Sequence, residues 1–436
     1  MAAQLEDLKA FGRPTADVRI AQWAPTPHPQ LGFLGAEPEL SEEETAIVDT
    51  LRRFADNEMR PTGEALDRMT PEQVIAKGSP FWSFYDKFNQ LGFTVDSMIA
   101  MEPRQRAKVL CLFYELLGWG DSGLAISIGA NTLPRYLSRL FGNDYLAELC
   151  PDDVLGCWGI TEPDHGSDSL DPDGAAAHVK GTYGRPNCIA TLKSDRIIIN
   201  GQKSAWVSNG CVAKVSILYC AADTGGGPDP KHGAVVIVPL TTKGVSQGKP
   251  LDKMGQRALP QGEIYFDNVE LPLKNLLAGP EHFQRAVYAI HAEANVLMGA
   301  TFVGLAQRAY ELAYNYAHER KQGGVPIIRH QNVMYRLFHM FRKIEAARAL
   351  VRRVAEYNMT VTQPALHAAM TAKITGTQTG FEVANDALQM FGGNGMTKAY
   401  PLEKLLRDAR ASLIEDGCNE ILALLGGTAL VDPARL

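Results

Sequence analysis

The chain has no block of clustered Lys and Arg. Its 43 basic and 49 acidic residues leave a formal charge of −6 spread along 436 residues. Phosphate backbones are held by clustered cations, so nucleic acid is excluded as the main partner. No apolar run reaches the roughly 20 residues of a membrane span. The N-terminus, MAAQLEDLKAFGRP, carries early acids and no apolar stretch, and reads as neither a secretory signal nor a transit peptide. Cys111, Cys150, Cys157, Cys188, Cys211, Cys220 and Cys418 form no CxxC pair and no metal-ligand spacing. Scattered reduced thiols, a cytoplasmic location and no metal centre are therefore expected. No GxGxxG or GxxxxGK[ST] opens a helix after a strand, and HExxH and GxSxG are missing. These absences argue against a Rossmann site, a P-loop, a zinc peptidase and a nucleophile elbow.

What is present is ordinary globular composition, 45% hydrophobic and 21% charged, in a chain long enough for two or three cores. Residues 1–40 are Pro-rich (RPTAD, WAPTPHPQ) and predict an arm. Residues 41–150 carry helical periodicity. Ser41 and Glu44 form a capping-box signature, Ile47, Leu51 and Phe54 recur at helical spacing, and Pro61 is expected to stop the run. Over 151–275 the period changes to short β-branched runs: LGCWGI, RIIING, SAWVSN, KVSILYC, GAVVIVPL and GEIYFDNVEL. They predict a compact antiparallel β domain, with a hairpin turn at Asn200–Gly201. Residues 276–436 return to long helical patterns with short connections, which pack as an antiparallel bundle. The fold class is α+β.

Several stretches have both a structural and a functional reading. The loop WGITEPDHGSD (Trp158–Asp168) leaves a strand rich in donors. AWVSNG puts Trp206 and Ser208 two residues apart, on one face if the segment is a strand. LQMFGGNG ends a helix in glycines, as a C-cap or a close approach to phosphate requires. LIEDGCNEIL sets Glu415 beside Asp416 before a glycine. Taken alone, that pair reads first as a solvated helix end and only second as a proton acceptor.

Taken in order, these stretches resemble the acyl-CoA dehydrogenase family of flavoproteins. TEPDHGSD is similar to its TEPxxGSD segment, and IINGQKSAWVSNG to its INGxKxWITNG hairpin. GQRALPQGEIYFDNVELPLKNLLAG is similar to the closing stretch of its β domain, GLAQRAYELAYNYAHERKQ to its long helix, and LQMFGGNGMTKAYPLEKLLRDAR to its QxxGGxGxxxxxPxxxxxRDxR run. The resemblance covers about residues 45–430. It implies an N-terminal helical domain, a middle antiparallel β barrel, a C-terminal four-helix bundle and a homotetramer. Trp158, Thr161, Ser167, Trp206 and Ser208 then fall on flavin and acyl-CoA positions. Arg320, Gln331, Gln389 and Gly393 fall on positions that hold the far end of FAD across a subunit interface. Cys418, Asn419 and Glu420 fall on the turn that contacts the cofactor.

The resemblance also places Asp416 on the family's catalytic Glu, with Glu415 in the place of a Tyr. Aspartate is one methylene shorter, so its carboxylate reaches about 1.5 Å less. An alternative base position, on the long helix, is Ala294; Glu293 is its neighbour. Asn295 stands where many members have an Arg beside the substrate, and Gly417 follows the base. Gln322 and Gly323 replace the usual Thr and Phe of a flavin-contacting turn. The implied activity is FAD-dependent conversion of an acyl-CoA to an enoyl-CoA, with Asp416 taking the α-proton and an electron-transfer flavoprotein receiving the electrons. The departures point to a branched, cyclic or otherwise atypical acyl group. Two alternatives stay open: a nitroalkane-oxidase-like enzyme, which also uses an Asp base, and a catalytically silent flavin-binding member.

Overall fold

Helical periodicity gives way to strands and then returns, and the computed structural model follows that order. It describes residues 34–37, 40–171 and 184–431; the Pro-rich arm motifs lie outside them. The chain divides into two compact units, Met1–Ser41 and Glu42–Leu436. All elements named below belong to the second.

The first helical region holds α1 (Glu42–Phe54), α2 (Arg60–Asp67), α3 (Pro71–Ile75), α4 (Pro80–Asn89), α5 (Val95–Ile99), α6 (Pro103–Gly120), α7 (Ser122–Leu140) and α8 (Asp144–Glu148). Val48, Leu51 and Phe54 of α1 are buried, as the spacing predicts, while Ile47 is only half-buried. Pro61 does not stop the run. A π turn at Ala55–Met59 intervenes, and Pro61 sits in the first turn of α2, where its missing N–H costs no intrahelical bond.

The strands are β1 (Gly156–Gly159), β2 (Cys188–Leu192), β3 (Arg196–Lys203), β4 (Val215–Asp223), β5 (Pro228–Pro239), β6 (Val245–Gln247), β7 (Ile264–Pro272) and β8 (Leu276–Ala278). They form one sheet in the order β6-β7-β3-β2-β4-β5-β8, with β1 also on β4. The expected all-antiparallel pattern is corrected in two places: β1 and β2 both run parallel to β4. Long connections separate these pairs in sequence, which parallel neighbours require. Among the described residues β6 and β8 do not pair to close the sheet. Asn200–Gly201 is not the hairpin turn. It lies within β3 at an irregularity in the pairing with β7, and Gly201 is needed there because a Cβ would fall 1.8 Å from the Asn187 carbonyl oxygen. The β2–β3 turn is instead at Lys193–Arg196.

Strand β4 is apolar on both faces because each face meets a core. Leu218 and Cys220 join Ile197, Val236 and Phe266 on one side. Ile217 and Tyr219 join Leu137 of α7 and Phe283, Val287 and Ile290 on the other. That second face carries the sheet onto the long helices and brings Trp158 of β1 to the place where they meet.

The second helical region comprises α9 (Phe283–Glu319), α10 (Gln331–Thr360), α11 (Leu366–Phe391), α12 (Leu402–Ser412) and α13 (Asn419–Val431). Helix α9 corrects one expectation: it contains an 18-residue window long and apolar enough to cross a membrane. That window is 78% buried inside the fold, where α9 serves as a core helix. A buried ion pair between Glu115 of α6 and Arg348 of α10 links the two helical regions.

Candidate active site

The LIEDGCNEIL stretch is the turn between α12 and α13. The N–H groups of Ile414 and Glu415 both donate to the Ala411 carbonyl, at 2.9 and 3.2 Å, and close the helix. Asp416 and Gly417 then take the left-handed conformation, with φ of +53° and +85°. Asp tolerates that region better than most residues and Gly occupies it freely. A Cβ at Gly417 would lie 2.8 Å from Leu422 Cδ2.

Three side chains from distant elements hold this turn. Asn295 Nδ2 of α9 donates to the Asp416 carbonyl at 3.0 Å. Lys373 Nζ of α11 donates to the Gly417 carbonyl at 2.9 Å and to Asn419 Oδ1 at 2.8 Å. Ser167 Oγ accepts from the Cys418 N–H at 3.0 Å. The N–H and the carboxylate of Asp416 have no hydrogen-bond partner among the described residues.

The turn projects into a cavity of about 570 Å³. Trp158, Thr161, Ser167, Trp206, Ser208, Glu415, Asp416 and Gly417 all line it, so eight of the residues singled out from sequence are brought together. Three acids line the cavity. Asp252 accepts from Arg257 Nη1 at 2.5 Å, and Glu415 Oε1 accepts from Gln256 Nε2 at 2.5 Å. Only Asp416 is without a partner among the described residues. Burial pushes its carboxyl up to about 6, against the opposing pull of the Lys373 charge. Burial, and then the Asp416 charge, raise Glu415 to about 7. Burial lowers Lys373 to about 8, resisted chiefly by Asp416.

The expected strand at Ala205–Gly210 is a turn, so alternation is not what aligns Trp206 with Ser208. Gln261 does that work: its Nε2 donates to the Trp206 carbonyl at 3.1 Å and to Ser208 Oγ at 3.3 Å. Buried Asn209, at φ +61°, anchors the turn to the Ser127 and Gly156 carbonyls. Trp206 is left 59% exposed at the cavity. Trp158 stands on His291 edge-to-face, and its buried Nε1 has no acceptor among the described residues. Burial lowers His291 to about 4, so it is neutral at ordinary pH.

The remaining sequence-derived residues fall elsewhere. Cys418 and Asn419 lie behind the cavity wall, Asn419 within the Lys373 network, and Glu420 is exposed. Asn295 is corrected from a substrate contact to a clamp: it is fully buried, outside the cavity lining, and holds the Asp416 carbonyl. Glu293 points to a second, smaller cavity. Arg320, Gln331, Gln389 and Gly393 are exposed and do not line the main cavity. There Tyr316 stacks on Phe391 at 3.9 Å and its hydroxyl accepts from Asn394 Nδ2 at 2.9 Å, joining the end of α9 to the glycine turn.

Sequence reasoning missed Lys373, Gln256 and His291. The one available signal for Lys373 was a lone charge inside an otherwise apolar and small-residue helix, LHAAMTAKITGTQTG.

With this geometry in place, the family models and the sequence relatives point to one family, and a solved structure shares the fold. Residues 157–269 match the acyl-CoA dehydrogenase middle domain, and residues 283–430 its C-terminal domain. A probable acyl-CoA dehydrogenase of Bacillus subtilis is 31% identical over 405 residues, covering 89% of this chain and 97% of the relative. The benzylmalonyl-CoA dehydrogenase of Aromatoleum aromaticum is 29% identical over 400 residues, covering 89% and 97%. A glutaryl-CoA dehydrogenase from Mycobacterium smegmatis, solved in complex with FADH2, superposes with a TM-score of 0.74 at 22% identity, covering 90% of this chain and 95% of that one.

Proposed function

The chain belongs to the acyl-CoA dehydrogenase family, and we propose that it converts an atypical acyl-CoA to its enoyl-CoA with Asp416 as the α-proton base. It is an oxidoreductase, and its cofactor is FAD. The residues present fit that group: a cavity walled by an exposed indole, a hydroxyl two residues on, and a buried indole N–H with no acceptor among the described residues. Trp158, Thr161, Ser167, Trp206 and Ser208 would hold it. When bound, FAD supplies the acceptor for the hydride that leaves the carbon next to the deprotonated one.

The observation that carries the assignment is the partnerless carboxylate of Asp416 on a clamped turn. A base must be free to receive a proton and fixed within hydrogen-bond reach of it. Asn295, Lys373 and Ser167 fix the backbone. A raised carboxyl is also a stronger base than an ordinary aspartate, which suits a weakly acidic carbon. The Asp416 N–H, open among the described residues, would donate to the thioester carbonyl as negative charge develops there. Glu415 differs because Gln256 occupies one of its oxygens.

Two features support an acyl group other than a straight fatty chain: the shorter base and the second cavity. The benzylmalonyl-CoA dehydrogenase among the relatives fits the same reading. A middle β barrel, a four-helix bundle, a homotetramer and an electron-transfer flavoprotein as acceptor complete it. The exposed cluster of Arg320, Gln331, Gln389 and Gly393 suits a cofactor end shared between subunits.

The test is anaerobic titration of the flavin-bound protein with a panel of acyl-CoAs and nitroalkanes. Bleaching by acyl-CoAs alone is expected. Bleaching by nitroalkanes alone, or by neither, contradicts the proposal.

A further inference from the structure

Glu293 has no role in the mechanism above, yet it is set in a wall where a carboxylate is costly. The second cavity, about 70 Å³, lies between α4, α5, α6, α7 and α9 and is lined by Phe88, Phe93, Phe113 and Ile290 together with Glu293 and Tyr136. Tyr114, Leu133, Ala294 and Leu297 line both this cavity and the main one. The smaller space is thus the apolar neighbour of the site where the acyl group reacts.

Within it the Tyr136 hydroxyl donates to Glu293 Oε2. A carboxylate can accept several hydrogen bonds. Glu293 Oε1 has no partner among the described residues, and the side chain is only half-buried at the cavity. An acceptor open to a cavity is satisfied by water or by a ligand donor, and a ligand hydroxyl aimed at it would take the place of that water. Burial also raises the Glu293 carboxyl, opposed by Tyr136 and then by Arg106. Thr132 Oγ1 donates to the Gly129 carbonyl and Thr94 Oγ1 accepts from the Ser97 N–H; neither carries the charge that makes a carboxylate the stronger acceptor.

We propose that Glu293, steadied by Tyr136, is a specificity-determining acceptor for a hydroxyl at the far end of the acyl group. The phenyl side chains around it suit a ring, so the substrate class is a cyclic or aromatic acyl-CoA bearing a distal hydroxyl. This rests on the acyl-CoA reading of the main cavity.

The experiment compares 3-phenylpropanoyl-CoA with its 3- and 4-hydroxyphenyl analogues by anaerobic flavin reduction in the holoenzyme, reading the half-saturating concentration. A site built to bond a hydroxyl discriminates against the analogue lacking it. At least one hydroxylated analogue should half-saturate at about tenfold lower concentration in the wild type, by the worth of a hydrogen bond to a charged group. Glu293→Gln, which keeps a neutral acceptor, should retain only part of that preference, and Glu293→Leu should lose or reverse it. Equal half-saturation by all three ligands in the wild type, or a preference that survives Glu293→Leu, overturns the proposal. If phenylpropanoyl-CoA bleaches the flavin without any hydroxyl preference, this inference alone falls. If no acyl-CoA bleaches it, the dehydrogenase reading falls with it.

Discussion

Asp416 and Glu293 each present a carboxylate to a cavity, but the two corners are built by opposite means. Asp416 sits on a turn with positive φ, held by hydrogen bonds to its own carbonyl and to its neighbours, and its carboxylate is left open. Glu293 sits on the regular helix α9, needs no special backbone, and its carboxylate is steadied by Tyr136. In the first corner the backbone is constrained so that the side chain can react. In the second the side chain is constrained so that it can recognise. Perturbing the backbone should therefore damage the first corner far more than the second.

Among changes that leave both carboxylates in place, the largest effect is expected from Gly417→Val. At φ +85°, with Leu422 Cδ2 in the way, any side chain displaces the turn. The left-handed conformation alone costs roughly 1–2 kcal/mol for a residue with a Cβ, and a shift of about 1 Å in the base loses on the order of a hundredfold in rate. Stopped-flow flavin reduction should fall by that factor, with flavin still bound. Tyr136→Phe, which leaves the helical backbone of the second corner alone, should cost less than about tenfold on phenylpropanoyl-CoA. A larger loss there than at Gly417 would break the contrast.

A smaller effect, with its own signature, is expected from Lys373→Met. The change removes the donor to the Gly417 carbonyl and the cation that opposes the rise of Asp416. Asp416 must be unprotonated to accept a proton, so the reduction rate in the wild type should climb as pH rises through about 6. In the variant the rate should drop about tenfold and the climb should move to higher pH. A profile that stays in place would show that Lys373 only supports the fold. The mildest change is Glu415→Gln, which can keep a bond to Gln256; a loss of only a few fold is expected in the same assay.

Much of this architecture was legible as period and motif. The long helical patterns after residue 276 correspond to α9, α10 and α11, and the ordered motifs point to the residues that meet at the cavity. The misreadings have physical causes. Strands β4 and β5 are buried on both faces, so they show no alternation and their parallel neighbours left no mark. Asn200–Gly201 has the chemistry of a hairpin turn but is used as an irregularity inside β3. Trp206 and Ser208 reach the cavity through a turn held by Gln261, 53 residues on from Ser208. Lys373 and Asn295 act on carbonyl groups 44 and 121 residues away, and no local pattern encodes such a bond. The exposed Arg320, Gln331, Gln389 and Gly393 were legible only through resemblance, because nothing among the described residues covers them.

The most direct test of the Asp416 assignment is rapid anaerobic mixing of Asp416→Asn with an acyl-CoA that bleaches the wild-type flavin. The variant should keep its flavin and bind the ligand, yet reduce at least about a hundredfold more slowly, the lower end of what a positioned base contributes. Reduction at the wild-type rate, with flavin and ligand bound, would show that Asp416 is not the base.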